Sequence, residues 1–257
     1  MNVNTDQQFV LNNFEEKLKA FTQAVNGKLT EEEDFVIANT EIPTDTFNVL
    51  LPKSPNIQNA AKLAHGIENF RLKAYPFCTW MDAAYLSNEW INLLREYDLQ
   101  EAERNVTMKL DNTLHVSGRM AHQLTITPVR NNEELMNYKE VFMSLFEGTS
   151  EKDALKAYFD NFSHEALGSK IQMFIGCVGE NTVSTGLLIE ANDSYGIYDV
   201  MTREGYRGRG YGSEMFQFLL NQTTDKHKPV VLQASEDGKN IYKRFGFMEI
   251  GEMIVFQ

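Results

Sequence analysis

TREGYRGRGYGSEMFQFLL, residues 202–220, places Arg207 and Arg209 among three alternating glycines, Gly208, Gly210 and Gly212, directly before an apolar helical run. Ordered glycine is entropically costly, so such a cluster marks unusual dihedrals or a close approach to the backbone. Backbone N–H groups from Arg209 to Ser213 can converge on one concavity at a helix N-terminus, where the macrodipole favours an anion. Two other phosphate-cradling patterns fit poorly. A Walker loop needs lysine and Ser/Thr after its last glycine, and SEMF offers neither in place. A dinucleotide fingerprint needs G-x-G-x-x-G and further βαβ units, but these glycines are spaced by two and only 45 residues follow Gly212. The pattern left is Arg207-x-x-Gly210-x-Gly212 between a strand and a helix. On its own it reads as a tight strand-to-helix turn that requires glycine.

The surrounding elements follow from hydrophobic periodicity. LTITP is a strand. Asn131 and Glu134 have capping-box spacing before a helix with Leu135, Tyr138, Phe142 and Leu145 inward. Ser150 opens a second helix on Leu155, Tyr158, Phe159, Phe162 and Leu167. KIQMFIGCVGENTVSTGLLIE reads as a hairpin turning near Gly179 and Asn181, and SYGIYDVMT as the strand that enters the glycine loop. PVVLQAS is a strand, KNIYKRFG a short helix and FMEIGEMIVF a closing strand.

Two separate stretches, YRGRGYG at 206–212 and LQAS-EDG-KNIYKRFGF at 232–247, resemble the GCN5-related N-acetyltransferase (GNAT) family. The resemblance covers about residues 124–257 in element order. It implies a GNAT fold: an α/β (α+β) domain with a mixed, mostly antiparallel central sheet flanked by helices. It also implies acetyl-CoA as cosubstrate and no metal. Carried over position by position, Val200, Met201 and Thr202 end the strand that pairs with pantetheine. Arg207, Gly208, Arg209, Gly210, Tyr211, Gly212 and Ser213 wrap the pyrophosphate. Tyr242 protonates the departing CoA thiolate, a step for which a phenol near pKa 10 and a thiol near 8.5 are roughly matched. Without the flanking motif, Tyr242 reads as a core aromatic on a short helix.

The sequence departs from the family twice. Ser235 stands where many members carry asparagine ahead of the tyrosine, and Tyr195 and Gly196 fall near the place of an early-strand glutamate base. Asp199 is the first candidate for the base, Glu190 the second and a water chain the third. Each carboxylate also reads as a solvated strand end. His65, His115, His122, His164 and His227 lack metal-ligand spacing. Cys78 and Cys177 are too few for a disulfide framework, and neither has the histidine pattern of a nucleophile.

The first half carries an amphipathic helix over 6–26, with Leu11, Phe14, Leu18, Phe21 and Val25 on one face and Gly27 as its stop. EEEDFVIA and TFNVLL read as strands. Ser54 and Pro55 suit the N-cap and first position of a helix with Ile57, Ala60, Ala61, Ala64 and Ile67 inward. YPFCTW is a buried strand, YLSNEWINLLREYDL a helix on Leu86, Trp90, Leu93 and Tyr97, and NVTMKL a strand. This order repeats that of the later elements, similar to the N-terminal portion of tandem acetyltransferases. PKSPNIQN, however, lacks the glycine cradle. Asn112, Ser117 and Gly118 mark the boundary between a degenerate GNAT-like unit at 1–115 and an acetyltransferase domain at 124–257.

Composition narrows the partners. Hydrophobic residues are 42% and charged residues 23%, an ordinary globular mixture. Twenty-four basic against 36 acidic residues give a net charge of −12, which disfavours nucleic acid. No secretory h-region or membrane span is apparent, so the expected setting is cytoplasmic. The expected activity is transfer of acetyl from acetyl-CoA to a primary amine by direct attack. The alternative is a non-catalytic acyl-CoA-binding or regulatory module. The acceptor amine, and whether the chain is a monomer or homodimer, stay open.

Overall fold

Among the described residues eleven strands pair in one sheet, and its order explains how the two halves of the chain meet. The computed structural model describes residues 5–111, 123–168, 170–236 and 238–257. The first half contains α1 (Thr5–Ala24), β1 (Lys28–Glu31), β2 (Phe35–Asn39), β3 (Val49–Pro52), α2 (Ala60–Leu72), β4 (Cys78–Asp82), α3 (Asn88–Glu96) and β5 (Glu101–Leu110). The second contains β6 (Thr125–Pro128), α4 (Asn132–Met143), α5 (Lys152–Asn161), β7 (Ile171–Val178), β8 (Asn181–Glu190), β9 (Tyr195–Thr202), α6 (Tyr211–Gln222), β10 (Val230–Ser235), α7 (Lys239–Lys243) and β11 (Met248–Phe256). The expected boundary at Asn112, Ser117 and Gly118 lies outside the described residues.

The strand order is β1-β2-β3-β4-β11-β5-β10-β9-β8-β7-β6. Each half contributes an antiparallel run followed by a parallel step across a helix: β3 to β4 over α2, and β9 to β10 over α6. The closing strands are then exchanged. β11 pairs with β4, β5 pairs with β10, and β5 and β11 pair with each other in the middle. The sheet is mixed and mostly antiparallel.

Most elements begin where local chemistry predicts. Asn131 caps α4 by accepting from the Glu134 N–H, and Ser87 caps α3 by accepting from the Trp90 N–H. The stop of α1 is shared by two residues. Asn26 takes the left-handed turn at φ 56°, and Gly27 lies so close to Asn39 that a Cβ would stand 2.6 Å from its carbonyl oxygen. β1 was not anticipated.

The start of α2 differs from expectation. Ser54 and Pro55 do not open it; the helix begins at Ala60, with Asn59 at the cap position. Its buried face is Leu63, Gly66, Ile67 and Phe70, while Ala60 and Ala61 are exposed. The reason is electrostatic. The carboxylate of Asp34, fully buried, accepts from the Gln58 N–H (2.6 Å), the Asn59 N–H (3.0 Å) and Asn59 Nδ2 (2.7 Å). That anchor fixes the loop and delays the first turn. Similarly, α5 starts at Lys152 rather than at Ser150, and Leu145 is exposed.

The core crosses between the halves. Phe47 stacks on Tyr158 with ring centroids 3.8 Å apart, and Phe21 meets Phe162 edge-on at 5.5 Å. Such pairs contribute roughly 0.5–1.5 kcal/mol each beyond the area they bury. Buried Asn13 of α1 donates to the Ile189 and Ser194 carbonyls and accepts from the Tyr198 hydroxyl at 2.9 Å. An N-terminal helix is thereby locked onto the β8–β9 pair of the second half.

Candidate active site

Strands β9 and β10 start as a parallel pair, with Tyr195 opposite Val230 and Gly196 opposite Val231. Beyond that point the described ladder between them ends, and the two strands diverge. β9 stays paired to β8 on its other side and β10 to β5. The result is a wedge whose β9 edge, residues 197–202, faces no neighbouring strand.

A β-bulge sits in that edge. The β8–β9 register jumps between Thr185↔Met201 and Leu187↔Tyr198, so Asp199 and Val200 oppose a single residue. Asp199 accordingly has φ 51°, a left-handed conformation costing a non-glycine residue about 1–2 kcal/mol. Two hydroxyls of β8 hold the bulge: Thr185 donates to the Asp199 carbonyl at 2.9 Å and Ser184 to the Met201 carbonyl at 2.7 Å. Maintained strain of this kind is a mark of a functional position.

At the end of β9 the chain makes a short 3₁₀ turn at Glu204–Tyr206 and enters the glycine loop. Gly208 and Gly210 have φ 76° and 89°, and open space lies where a Cβ would be at either position. Gly210 is the cap residue of α6, and no side chain caps that helix. The first-turn N–H groups of Tyr211, Gly212 and Ser213 therefore depend on solvent or a ligand. Arg207 is held beside them by Nε, which donates to the Thr202 carbonyl at 3.1 Å. Arg209 lies over the Tyr206 ring and donates to the Gly205 carbonyl. Positive side chains, free N–H groups and the helix dipole share one exposed corner.

The wedge opens into a cavity of about 740 Å³ lined from both halves. Of the residues singled out in the sequence, Asp199, Val200, Met201, Ser235 and Tyr242 all lie on its wall. Tyr242, on α7, packs its ring against Phe216 at 4.9 Å. Burial pushes its hydroxyl above the ordinary phenol value, which keeps it a proton donor at neutral pH. The Asp199 carboxylate accepts from the Tyr138 hydroxyl at 3.1 Å and has Lys17 Nζ 3.6 Å away. Burial, with the Asp199 charge added, pushes the Tyr138, Tyr158 and Tyr198 hydroxyls upward, so none competes as a base.

Glu190 is not in this cavity. It stands at the opposite end of the sheet opening, opposite Tyr195, and is ion-paired to Lys228 at 2.8 Å. Cys78 does line the cavity, but burial first and the Asp45 charge second push its thiol upward, away from thiolate chemistry. Among the described residues, which exclude His115 and His122, no group of three or more His, Cys, Asp or Glu is arranged to hold a metal ion. No described helix is long and apolar enough to cross a membrane.

Several wall residues escaped the sequence reading: Lys17, Asp45, Glu103, Asn105 and Glu151. Only Lys17 left a local trace, as a basic residue one turn from Asn13 beside the apolar stripe of α1. The others come from loops and strands that the exchanged sheet brings together. Glu214 was missed as well. Its nearly buried carboxylate accepts from the Gln123 and Leu124 N–H groups, tying the segment before β6 to the first turn of α6.

Comparison with known proteins bears on the fold and the second half of the chain. The acetyltransferase (GNAT) domain family matches residues 139–257. A GCN5-related N-acetyltransferase from Kribbella flavida superposes with a TM-score of 0.66 at 12% identity, over 93% of each chain. A protein of unknown function from Staphylococcus epidermidis gives 0.62 at 16% identity, over 90% of this chain and 94% of its own. A tandem GNAT protein of the clavulanic acid biosynthesis pathway gives 0.57 at 10% identity, over 86% of this chain and 77% of that one. No curated protein matches the chain. Residues 139–257 match the acetyltransferase (GNAT) domain family, and the chain as a whole has the mixed α/β architecture of the GNAT fold.

Proposed function

We propose that the protein transfers acetyl from acetyl-CoA to a primary amine by direct attack within the 740 Å³ cavity. The observation that carries this reading is the coincidence of three features around one strand, β9: a helix N-terminus after it without a side-chain cap and with two glycines at positive φ, a bulged edge without a neighbour, and a tyrosine on the same cavity wall as that edge. Arg207 through Ser213 would hold the pyrophosphate. Residues 200–202 would pair with pantetheine, and a backbone N–H of the bulge would polarise the thioester carbonyl. Ser235 would flank the pantetheine arm.

The chemistry balances as follows. An ammonium acceptor gives one proton to Asp199, and the amine lone pair forms a C–N bond to the thioester carbon. The C–S bond breaks with its electron pair on sulfur, and Tyr242 protonates that sulfur. The second proton of the acylated nitrogen restores Tyr242, leaving an N-acetyl amine and CoA thiol. Glu190, remote and paired with Lys228, takes no part. Residues 1–115 would serve as a degenerate unit that builds half of the acceptor cavity.

The test is an amine panel followed by CoA thiol release, run beside calorimetry with acetyl-CoA. Binding of one acetyl-CoA with turnover of at least one amine supports the reading. Binding without turnover across the panel favours a non-catalytic acyl-CoA module, and no binding overturns both.

A further inference from the structure

The cavity wall carries more negative charge than acetyl transfer requires. Asp45, Glu103, Glu151 and Asp199 all line it, and Lys17 is the basic residue among the lining side chains. Lys17 is matched to Asp199. No described lysine or arginine lies within ion-pair distance of the other three carboxyl groups.

Asp45 and Glu151 form a built pair. Glu151 accepts from the Thr44 hydroxyl at 2.9 Å and the Thr46 hydroxyl at 3.1 Å, which fixes both of its oxygens. Its neighbour Asp45 is pushed up to about 7 by burial and by the adjacent Glu151. Two neighbouring carboxyl groups without a cation favour holding a proton between them, because like charges side by side do not both ionise cheaply. An ammonium group can take the place of that proton. The same cavity wall is largely aromatic, with Phe14, Trp80, Phe47, Phe142 and Phe146. Those rings suit a hydrocarbon chain and tolerate a cation against their faces.

A second, independent observation points to a ligand. Asn105 of β5, 6% exposed, stands on the cavity wall opposite Ser235 in the β5–β10 register. Its Nδ2 has no hydrogen-bond partner in the protein. A buried donor without an acceptor costs about 1–3 kcal/mol, so the wall is incomplete without an occupant that carries one. An acetyl carbonyl is such an acceptor.

We infer that the acceptor is a dication: a primary amine that carries a second ammonium group at the other end of an apolar spacer, with the second charge bound between Asp45 and Glu151. This rests on the acetyltransferase reading above and specifies its substrate class. Monoamines lose the distal contact, and ω-amino acids place a carboxylate against two others.

The experiment compares α,ω-diamines of four to eight carbons with the matching n-alkylamines and ω-amino acids, following CoA thiol release and identifying the acetylated product by mass spectrometry. For the best spacer length, kcat/KM for the diamine should exceed that of its n-alkylamine by tenfold or more, with the ω-amino acid slowest. In Asp45→Asn and in Glu151→Gln the preference should fall toward unity, chiefly through KM. The wild-type ratio alone decides the matter if either variant folds poorly. A diamine no better than the alkylamine, or a preference untouched in both folded variants, overturns the inference and leaves acetyl transfer standing. If no amine turns over, calorimetry with the same diamines on CoA-loaded protein replaces the rate. Diamine binding tighter than alkylamine binding supports the distal site, and equal or absent binding overturns it. Failure of acetyl-CoA itself to bind sinks the parent reading instead.

Discussion

The chain makes the same strand–helix–strand step twice, and the two helix N-termini have opposite fates. At the β3–α2 junction the loop PKSPNIQN contains Pro52 and Pro55, which have no N–H, while the Gln58 and Asn59 N–H groups go to buried Asp34, that of Ile57 to Glu89 and that of Asn56 to the Ser54 hydroxyl. Neither helix has a side-chain cap, but at the β9–α6 junction Gly208 and Gly210 open the backbone and the corner is exposed, with no carboxylate among the described residues bound to its loop N–H groups. The same dipole points at both places. What differs is whether the protein supplies its own anion. A helix dipole alone is worth about 0.3–1 kcal/mol at an exposed site. That is far below the roughly 8 kcal/mol of micromolar binding, so on the proposed function it is the converging N–H groups that would let one junction and not the other hold a cofactor.

The largest expected effect breaks the second junction. Gly210→Val puts a β-branched residue at φ 89° and fills the open space above the first turn of α6. No protein atom lies within 4 Å of the new Cβ, so the fold should survive with about 1–2 kcal/mol of strain. Calorimetry should give one acetyl-CoA per wild-type chain and none in the variant. A stoichiometry of two, or a residual site in Gly210→Val, would show that the β3–α2 junction also binds.

Next in size is loss of the proposed proton donor, Tyr242. Tyr242→Phe keeps the ring packed on Phe216 and removes only the hydroxyl. Turnover should fall by roughly 10²–10⁴ with little change in acetyl-CoA affinity. Retained kcat across the pH range would mean that the thiolate leaves unassisted.

The contrast between the junctions was only half legible in the sequence. The glycine cradle is local: RGRGYG and the helix after it fall within one short stretch, so their spacing carried the chemistry. The strand alternation of 171–202 and the cap at Asn131 were readable for the same reason. Asp34 was not, because its partner N–H groups lie 24 and 25 residues away and the pairing exists only once β2 and β3 are side by side. The exchange of β5 and β11 was equally hidden. Both strands read as ordinary closing strands, and nothing local says that each completes the other half. That exchange brings Glu103 and Asn105 to the cavity, so its acidic character was invisible to motif reading.

A smaller effect tests whether Asp34 is what closes the first junction. Its carboxylate holds three donors, and hydrogen bonds to a charged group contribute about 1.5–3 kcal/mol. Asp34→Asn replaces the carboxylate by an amide whose NH₂ must face a donor. Denaturant unfolding should show a loss of about 2–3 kcal/mol, with acetyl-CoA stoichiometry still one. Unchanged stability would mean that the loop is held by its prolines and the buried Trp90, whose indole donates to the Ser54 carbonyl.

The smallest effect is a pH dependence with a defined sign. Burial raises the Asp34 pKa, but the hydrogen bonds from Asn59 and Gln58 outweigh it, and the net position lies below the usual carboxylate value. A folded-state pKa depressed below the unfolded value, near 3.9, means that the unfolded chain binds the proton more readily. The stabilisation from Asp34 is therefore fully present above the unfolded pKa and is lost as pH falls through the folded one. Between pH 7 and 5 wild type and Asp34→Asn should lose or gain stability in parallel. Below pH 4 the wild-type curve should fall toward the variant's, because protonated Asp34 holds the loop no better than an amide does. Denaturant midpoints measured from pH 7 to pH 2.5 decide it. A gap between the two proteins that stays constant to the lowest pH would show that Asp34 holds its donors by shape rather than by charge, and would remove the electrostatic half of the contrast between the junctions.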